Sequence, residues 1–324
     1  MDASRDIADR LLRGDRSAVA RLITWAENGD ARFEAALARF YPRVGTALRV
    51  GVTGPPGSGK STLVNELTIA LRASGRTVAI LAVDPSSPFT GGALLGDRIR
   101  MEERTADPGV FIRSMASRGS HGGLARAAVD AGDVMDAFGF EEVLLETVGV
   151  GQAEYDVVSA ADTVLVVLCP GAGDGIQAMK AGLLEVADVL VVNKTDVPGA
   201  ERLVLDLEES VQIRRAAESA WIAPVVSCSA GRGQGIGDVL AAIERHRQHL
   251  RGGGRLEERR GRMRVEQVRR AVGEGLDEEL WEARGTRARV EALLAAGATP
   301  YDIAGDLLAE LVGGLSAPEG AAKT

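Results

Sequence analysis

Two short runs hold most of the chemistry that can be read from this chain. The first is Gly54-Pro55-Pro56-Gly57-Ser58-Gly59-Lys60-Ser61, followed by Thr62. Its glycines let the backbone wrap closely, so consecutive N–H groups can point at phosphate oxygens. A helix starting at its end would add its positive terminus to that pull. In such a setting Lys60 reaches the β- and γ-phosphates, the Ser61 hydroxyl ligates Mg²⁺, and Thr62 lies near an inner phosphate. The second run is Asn193-Lys194-Thr195-Asp196. The Asp196 carboxylate can accept from both N1–H and N2–H₂ of guanine. Adenine lacks that donor pair and would leave the carboxylate unpaired, so such a site rejects it strongly. Asn193 would tie the two loops together, and the Lys194 stem can cover the base face. Ser229-Ala230, after the apolar PVVSC, fits a second loop that backs the base through a main-chain N–H. Together the runs imply GTP or GDP as the ligand, rather than ATP.

A magnesium–triphosphate site needs further hard oxygen donors. Three carboxylates are placed to supply them. Asp84 ends the apolar run VAILAV, Asp97 closes TGGALLGD, and Glu146 ends VLLE. Ligands of open α/β sheets bind at the carboxyl ends of strands, where Asp84 and Glu146 are expected. Gly149 could offer a backbone N–H to the γ-phosphate, with Gly151 keeping the same loop mobile. Residues 85–97 and 147–156 are therefore candidate switches, anchored by that phosphate and relaxed on its loss. Lys60, Asp84 and Glu146 are the candidates for the hydrolytic step. What orients the attacking water is left open between Asp84 and other groups, because Gln152 stands three residues after Gly149.

These residues need a scaffold. Short apolar runs occur at Leu48–Thr53, Val78–Asp84, Val110–Arg113, Val143–Thr147, Val164–Leu168, Val189–Asn193 and Pro224–Ser227. They show little polar alternation, as in strands buried on both faces of a parallel sheet. Helical stretches alternate with them, which predicts a doubly wound α/β P-loop domain over residues 47–250. Before it, residues 1–46 read as a helical annex. Ile7, Leu11 and Leu12 share a face there, and Asp15 could cap a helix carrying Val19, Leu22 and Ile23. After it, Arg251-Gly252-Gly253-Gly254 reads as a flexible break. Residues 251–324 then carry Val265, Val268, Val272, Leu276 and Leu280 at helical spacing. Thr286 and Gly297 bracket another helix, and Thr299-Pro300 open a last one. This region reads as helices that pack back on the domain or form a dimer arm.

A net charge of −8 argues against non-specific nucleic-acid binding as the main role. No segment approaches the roughly 18 apolar residues of a membrane span, and the charged N-terminus lacks a signal-peptide core. A cytoplasmic protein is expected. Cys169 and Cys228 match no zinc or redox spacing and read as buried thiols. His121 reads as a solvent-facing loop residue. His246 and His249, one turn apart, lack the carboxylate or thiol neighbours of a metal site.

Longer stretches add a resemblance. GVTGPPGSGKSTL, VDPSSPFTGGALLGDRIRM, FIRSMASRG, LLETVGVGQAE, PGAGDGIQAMKAGLLEVADVLVVNKTD and GATPYDIAGDLL together resemble the MeaB/ArgK-type GTPases. The resemblance spans nearly the whole chain. It implies Mg²⁺ ligation by Ser61, Asp84, Asp97 and Glu146, and a homodimer built with the C-terminal helices. It implies a GTP-gated chaperone that loads and protects an adenosylcobalamin-dependent acyl-CoA mutase, such as methylmalonyl-CoA mutase. The loop Pro170–Lys180 resembles a further switch, with Gln177 and Lys180 as its polar coupling candidates. Two other roles suit the same core. One is nickel or cobalt insertion, and the other is GTP-dependent phosphorylation of a small molecule or transport protein.

Overall fold

A computed structural model of the chain describes residues 3–85, 106–117, 123–147, 159–171, 182–213, 221–283 and 285–315. Among these, the strands are β1 (Leu48–Thr53), β2 (Val78–Pro85), β3 (Val110–Ser117), β4 (Glu142–Thr147), β5 (Thr163–Leu168), β6 (Val189–Val192) and β7 (Val225–Ser227). They form one 7-stranded sheet in the order β3-β2-β4-β1-β5-β6-β7. Every pairing is parallel. Each expected run is a strand. β3 continues past the expected Arg113 to Ser117 because it pairs with β2 along its whole length, Val78 opposite Val110 through to Pro85 opposite Ser117.

The lack of polar alternation has the predicted cause. Leu48, Val50 and Val52 of β1, with Leu165 and Val167 of β5, face one core. It is completed by Leu63, Leu67 and Leu71 of α4 (Lys60–Ala73) and by Val239 and Ile243 of the helix Ile236–Arg251. Val143, Leu145, Val164, Val166 and Leu168 face the other. There they meet the helix Gly123–Phe138 together with α1 (Ala3–Leu12), α2 (Arg16–Glu27) and α3 (Arg32–Phe40). The annex thus shares a core with the sheet through Ile7, Leu11, Val19, Leu22, Ile23, Phe33 and Phe40, all buried. Each such side chain stabilises by about 1.5–3 kcal/mol. Asp15 caps α2, its Oδ1 accepting from Ser17 N at 2.9 Å.

The sheet order puts β1 between β4 and β5. The chain leaves β1 toward β2 on one side and later crosses to β5 on the other. Such a switch in direction opens a crevice at the carboxyl ends of the strands.

A buried charge network occupies the opposite, amino ends of the strands. Arg49 of β1, 4 % exposed, donates to Asp133 Oδ1 at 2.6 Å and to Asp136 Oδ2 at 3.2 Å. Burial works against its charge, yet Asp133 and Asp136 outweigh that and hold its pKa above the ordinary arginine value. Asp136 also accepts from Gly45, Thr46 and Ala47 N, fixing the entry into β1. Asp162 accepts from Arg49 N at 3.0 Å.

At the expected break the helix Ile236–Arg251 ends in a kink, Gly252–Gly254, with Gly253 at φ 68° and Gly254 at φ 73°. The helix Arg255–Asp277 begins straight after it. Arg259 forks onto Asp188, Arg260 onto Asp162 and Arg264 onto Asp133. These pairs tie the start of that helix to the amino ends of β5 and β6 and to the helix Gly123–Phe138, and the compact unit holding the sheet spans Met1–Val265. A second compact unit, Glu266–Thr324, contains the rest of that helix, a π-helical turn at Glu278–Ala283, and the helices Thr286–Ala295 and Pro300–Leu315. Thr299 Oγ1 caps the last helix by accepting from Asp302 N at 3.2 Å. Arg289 forks onto Glu310 to join the final two helices. Among the described residues no helix is long and apolar enough to cross a membrane.

Candidate nucleotide-binding site

β1 ends at Thr53, the loop Gly54–Gly59 follows, and α4 starts at Lys60. This is the strand–loop–helix setting that the glycine-rich motif requires. Two glycines are needed for specific reasons. A Cβ on Gly54, at φ 138°, would sit 2.1 Å from the Val167 carbonyl oxygen of β5. A Cβ on Gly59, at φ 91°, would sit 2.3 Å from Asn193 Nδ2. The loop is therefore pressed between its neighbours, and only glycine combines that backbone angle with that space.

Lys60 is buried and donates to Gly54 O at 2.6 Å and Pro55 O at 3.0 Å. Its ammonium is thereby held within the curl of the loop. Ser61 Oγ donates to Glu146 Oε1 at 2.5 Å. Glu146 is 1 % exposed near the carboxyl end of β4, opposite Val52 of β1 in register. Ser58 Oγ is buried and has no hydrogen-bond partner among the described residues. Pro56 lies exposed in the loop, and Thr62 is half-buried on the first turn of α4.

The second motif meets the first directly. Asn193, 2 % exposed, follows β6 and donates from Nδ2 to Ser58 O at 2.8 Å. Its Oδ1 accepts from Ala230 N at 2.9 Å and from the Cys228 thiol at 3.5 Å. One amide therefore joins three loops, leaving the Ala230 N–H committed to Asn193. Burial pushes the Cys228 thiol up to about 11, which keeps it protonated and in a structural role. Lys194 is the one non-glycine residue at positive φ among those described, at 59°, and donates to Gly57 O at 2.6 Å. That turn lays its stem along the glycine-rich loop. Asp196 accepts from Ser229 Oγ at 2.6 Å and pairs with Arg232 Nη2 at 3.2 Å. The Ser229 hydrogen bond holds its carboxyl below the usual range, aided by its own backbone N–H, then by Arg232 and Lys194, while desolvation opposes them.

The predicted residues of both motifs, with Ser229, Ala230 and Glu146, thus gather at the carboxyl ends of β1, β4, β6 and β7. The Asp84 backbone belongs to β2, opposite Ala116, but its side chain lies outside the described residues. So do Asp97, Gly149, Gln152, Gln177, Lys180 and His121, and with them nearly all of both candidate switches and most of the third loop. Among the described residues no group of three His, Cys, Asp or Glu side chains converges to hold a metal. His246 is 1 % exposed, contacts Thr163 Oγ1 at 2.9 Å and Asp188 at 3.3 Å, and packs with His249 against Trp221. That is a buried polar joint.

Arg232 was not among the residues that the motifs pointed to. Its signal is the run Ser229-Ala230-Gly231-Arg232-Gly233, an arginine framed by glycines beside the second loop. Asp133, Asp162 and Asp188 were also missed, since nothing local marks an aspartate as buried.

Comparison with known proteins agrees over most of the chain. The family model described as methylmalonyl Co-A mutase-associated GTPase MeaB matches residues 19–285. A relative from Pyrococcus abyssi is 45% identical, covering 95% of this chain and 97% of that one. GTPase ArgK of Escherichia coli is 37% identical over 82% of each. The crystal structure of an LAO/AO transport system kinase superposes with a TM-score of 0.71 at 29% identity, over 96% of this chain and 97% of that one. With its parallel seven-stranded P-loop fold and this match, the chain belongs to the MeaB family of methylmalonyl-CoA mutase-associated GTPases.

Proposed function

We propose that the chain binds GTP between the loop Gly54–Thr62 and the run Asn193–Asp196, hydrolyses it to GDP and phosphate, and uses that cycle to serve an adenosylcobalamin-dependent acyl-CoA mutase. The observation that carries the reading is the joint between the two motifs, Asn193 Nδ2 to Ser58 O at 2.8 Å. The glycine-rich loop and the run that carries Asp196 are linked there by a single side chain. The buried Ser58 Oγ, without a hydrogen-bond partner among the described residues, is a donor suited to a phosphate oxygen.

Phosphoryl transfer asks a protein mainly for positioning and charge stabilisation. Lys60 and the loop N–H groups would meet the charge that grows on the γ-phosphoryl oxygens as water attacks in line. Ser61 and Glu146 form a hard oxygen pair that fits magnesium, with Asp84 and Asp97 as the further candidate ligands. Bound there, the ion would neutralise charge on the phosphate oxygens. Asp84 is also a candidate to orient the water. Gly149 would sense the γ-phosphate, with Gln177 and Lys180 passing its presence to the partner. The intrinsic rate is expected to be low, with activation coming from that partner.

The mutase as client is supported by the family, whose description names it. Methylmalonyl-CoA mutase is the first candidate and cofactor loading and protection the proposed service, in the cytoplasm. A homodimer is proposed from Val268, Val272 and Leu276, which lie four residues apart along one helix and are 63%, 56% and 40% exposed. The deciding experiment is a pull-down from cells of the source organism, with a GTP analogue and with GDP, scored for a cobalamin-dependent mutase. Nucleotide-dependent recovery of the mutase is expected. Recovery of a hydrogenase or urease maturation protein in its place would overturn the reading.

A further inference from the structure

Asp196 has two carboxylate oxygens, and each already has a neighbour from one loop. Ser229 Oγ donates to Oδ1 at 2.6 Å, and Arg232 Nη2 lies 3.2 Å from Oδ2. Each oxygen retains a second lone-pair direction, so both can still accept from a ligand. The loop that presents the two neighbours is closed on itself. Ser229 N donates to Gln234 O at 3.0 Å, Arg232 N to Ser229 O at 2.9 Å, and Gly233 N to Ala230 O at 3.0 Å. A Cβ on Gly235, at φ 75°, would come within 2.5 Å of Ser227 O, so the loop is also pressed against the end of β7. A single 3₁₀ turn, Ala230–Arg232, separates the serine from the arginine and returns the guanidinium to the same carboxylate.

From this we infer that Arg232 is a positioning residue for base recognition: with Ser229 it fixes the plane of the Asp196 carboxylate so that both oxygens face a base offering two adjacent N–H donors. The inference rests on the reading of this site as a guanine-nucleotide site. It extends that reading from the carboxylate to the group that aims it. The arginine side chain is 61% exposed, so its effect is modest and screened by salt. It acts on the base end only, far along the ligand from Lys60 and Ser61.

The test uses the full chain, with fluorescent GDP and IDP titrations and steady-state turnover of GTP and ITP. Inosine keeps N1–H and lacks the 2-amino group, so it draws on one donor where guanine draws on two. Arg232→Ala should weaken GDP binding about two- to fivefold, raise KM for GTP by the same factor, and leave kcat at saturation unchanged. IDP binding should fall by less, so the guanine-to-inosine preference shrinks. Arg232→Lys, which keeps the charge and loses the planar fork, should recover part of the loss. Unchanged or tighter GDP binding in Arg232→Ala would overturn the inference, as would equal weakening of GDP and IDP. A native chain that binds neither nucleotide would instead overturn the guanine reading itself. A thermal melt of each variant keeps a folding defect from passing as a binding effect.

Discussion

Ser61 Oγ lies 2.5 Å from Glu146 Oε1, so the first turn of α4 is hydrogen-bonded to the carboxyl end of β4. The two residues are far apart in sequence, and they meet because β4 lies beside β1, whose end feeds the loop into α4. A hydroxyl and a buried carboxylate at that distance are two hard oxygens converging on one point beside Lys60.

The first prediction follows from that pair. Glu146→Gln keeps the shape and removes the charge. Turnover of GTP should fall by about 10²–10³-fold, the scale of losing one preorganised electrostatic group. The Mg²⁺ concentration needed for half-maximal rate should rise. Lys60→Ala should abolish turnover. A phosphate-release assay across a Mg²⁺ titration reads each result, and a normal rate in Lys60→Ala would place the chemistry elsewhere.

Base selection gives the second. Xanthine carries a carbonyl where guanine carries its 2-amino group. Asp196→Asn replaces an acceptor by an amide that can donate to that carbonyl. Affinity for GDP should drop at least about 10²-fold, with xanthosine diphosphate gaining. Competition titrations check it. An unchanged guanine preference would remove Asp196 from the base site.

Third, Asp133→Ala should destabilise the fold without touching the nucleotide. It leaves Arg49, 4 % exposed, without its nearer counter-ion, and removes the carboxylate that Arg264 forks onto. Removing one member of a buried pair costs about 3–5 kcal/mol. Urea unfolding should show the loss, with an unchanged slope against denaturant. Nucleotide affinity should hold, because Arg49 lies near the amino end of β1 and the loop follows its carboxyl end.

The fourth concerns pH. Burial holds His246 down to about 4 from an ordinary 6.5. Asp188 pulls the other way, while Arg259 and His249 push it further down. Since the folded value is the lower, the unfolded chain takes up the proton first. The contribution of the neutral ring is complete above the unfolded value of 6.5 and is lost as pH falls through about 4. The native chain should therefore lose more stability between pH 7 and 4.5 than His246→Asn, by roughly 1–3 kcal/mol. Paired urea titrations at the two pH values decide it, and parallel losses would discount the histidine.

Much of the site could be read locally because its demands are local. A phosphate loop needs glycines in sequence and a lysine and serine at fixed offsets. A guanine-reading turn needs its asparagine and aspartate within four residues. The strands were legible for a similar reason: runs such as Val189–Val192 feed both cores at once and leave no polar alternation. Arg232 carries no such local mark, because its partner, Asp196, lies on another loop. The break expected at Arg251–Gly254 is where one helix ends and the next begins, and the clasp just after it depends on aspartates that sequence cannot show to be buried.

By itself the sequence determined the parallel α/β core, the two motifs and the family resemblance, since each rests on residue types at short, fixed spacings that the chain cannot satisfy otherwise. Tertiary structure alone decided which distant residues meet. Examples are Asn193 on the Ser58 carbonyl, Glu146 on Ser61, Arg232 on Asp196, and Arg259, Arg260 and Arg264 on the buried Asp188, Asp162 and Asp133. The physical reason is that a hydrogen bond or ion pair depends on ångström-scale distance and on exclusion of water. Both are set by the order in which the strands assemble, and neither is written in the spacing along the chain.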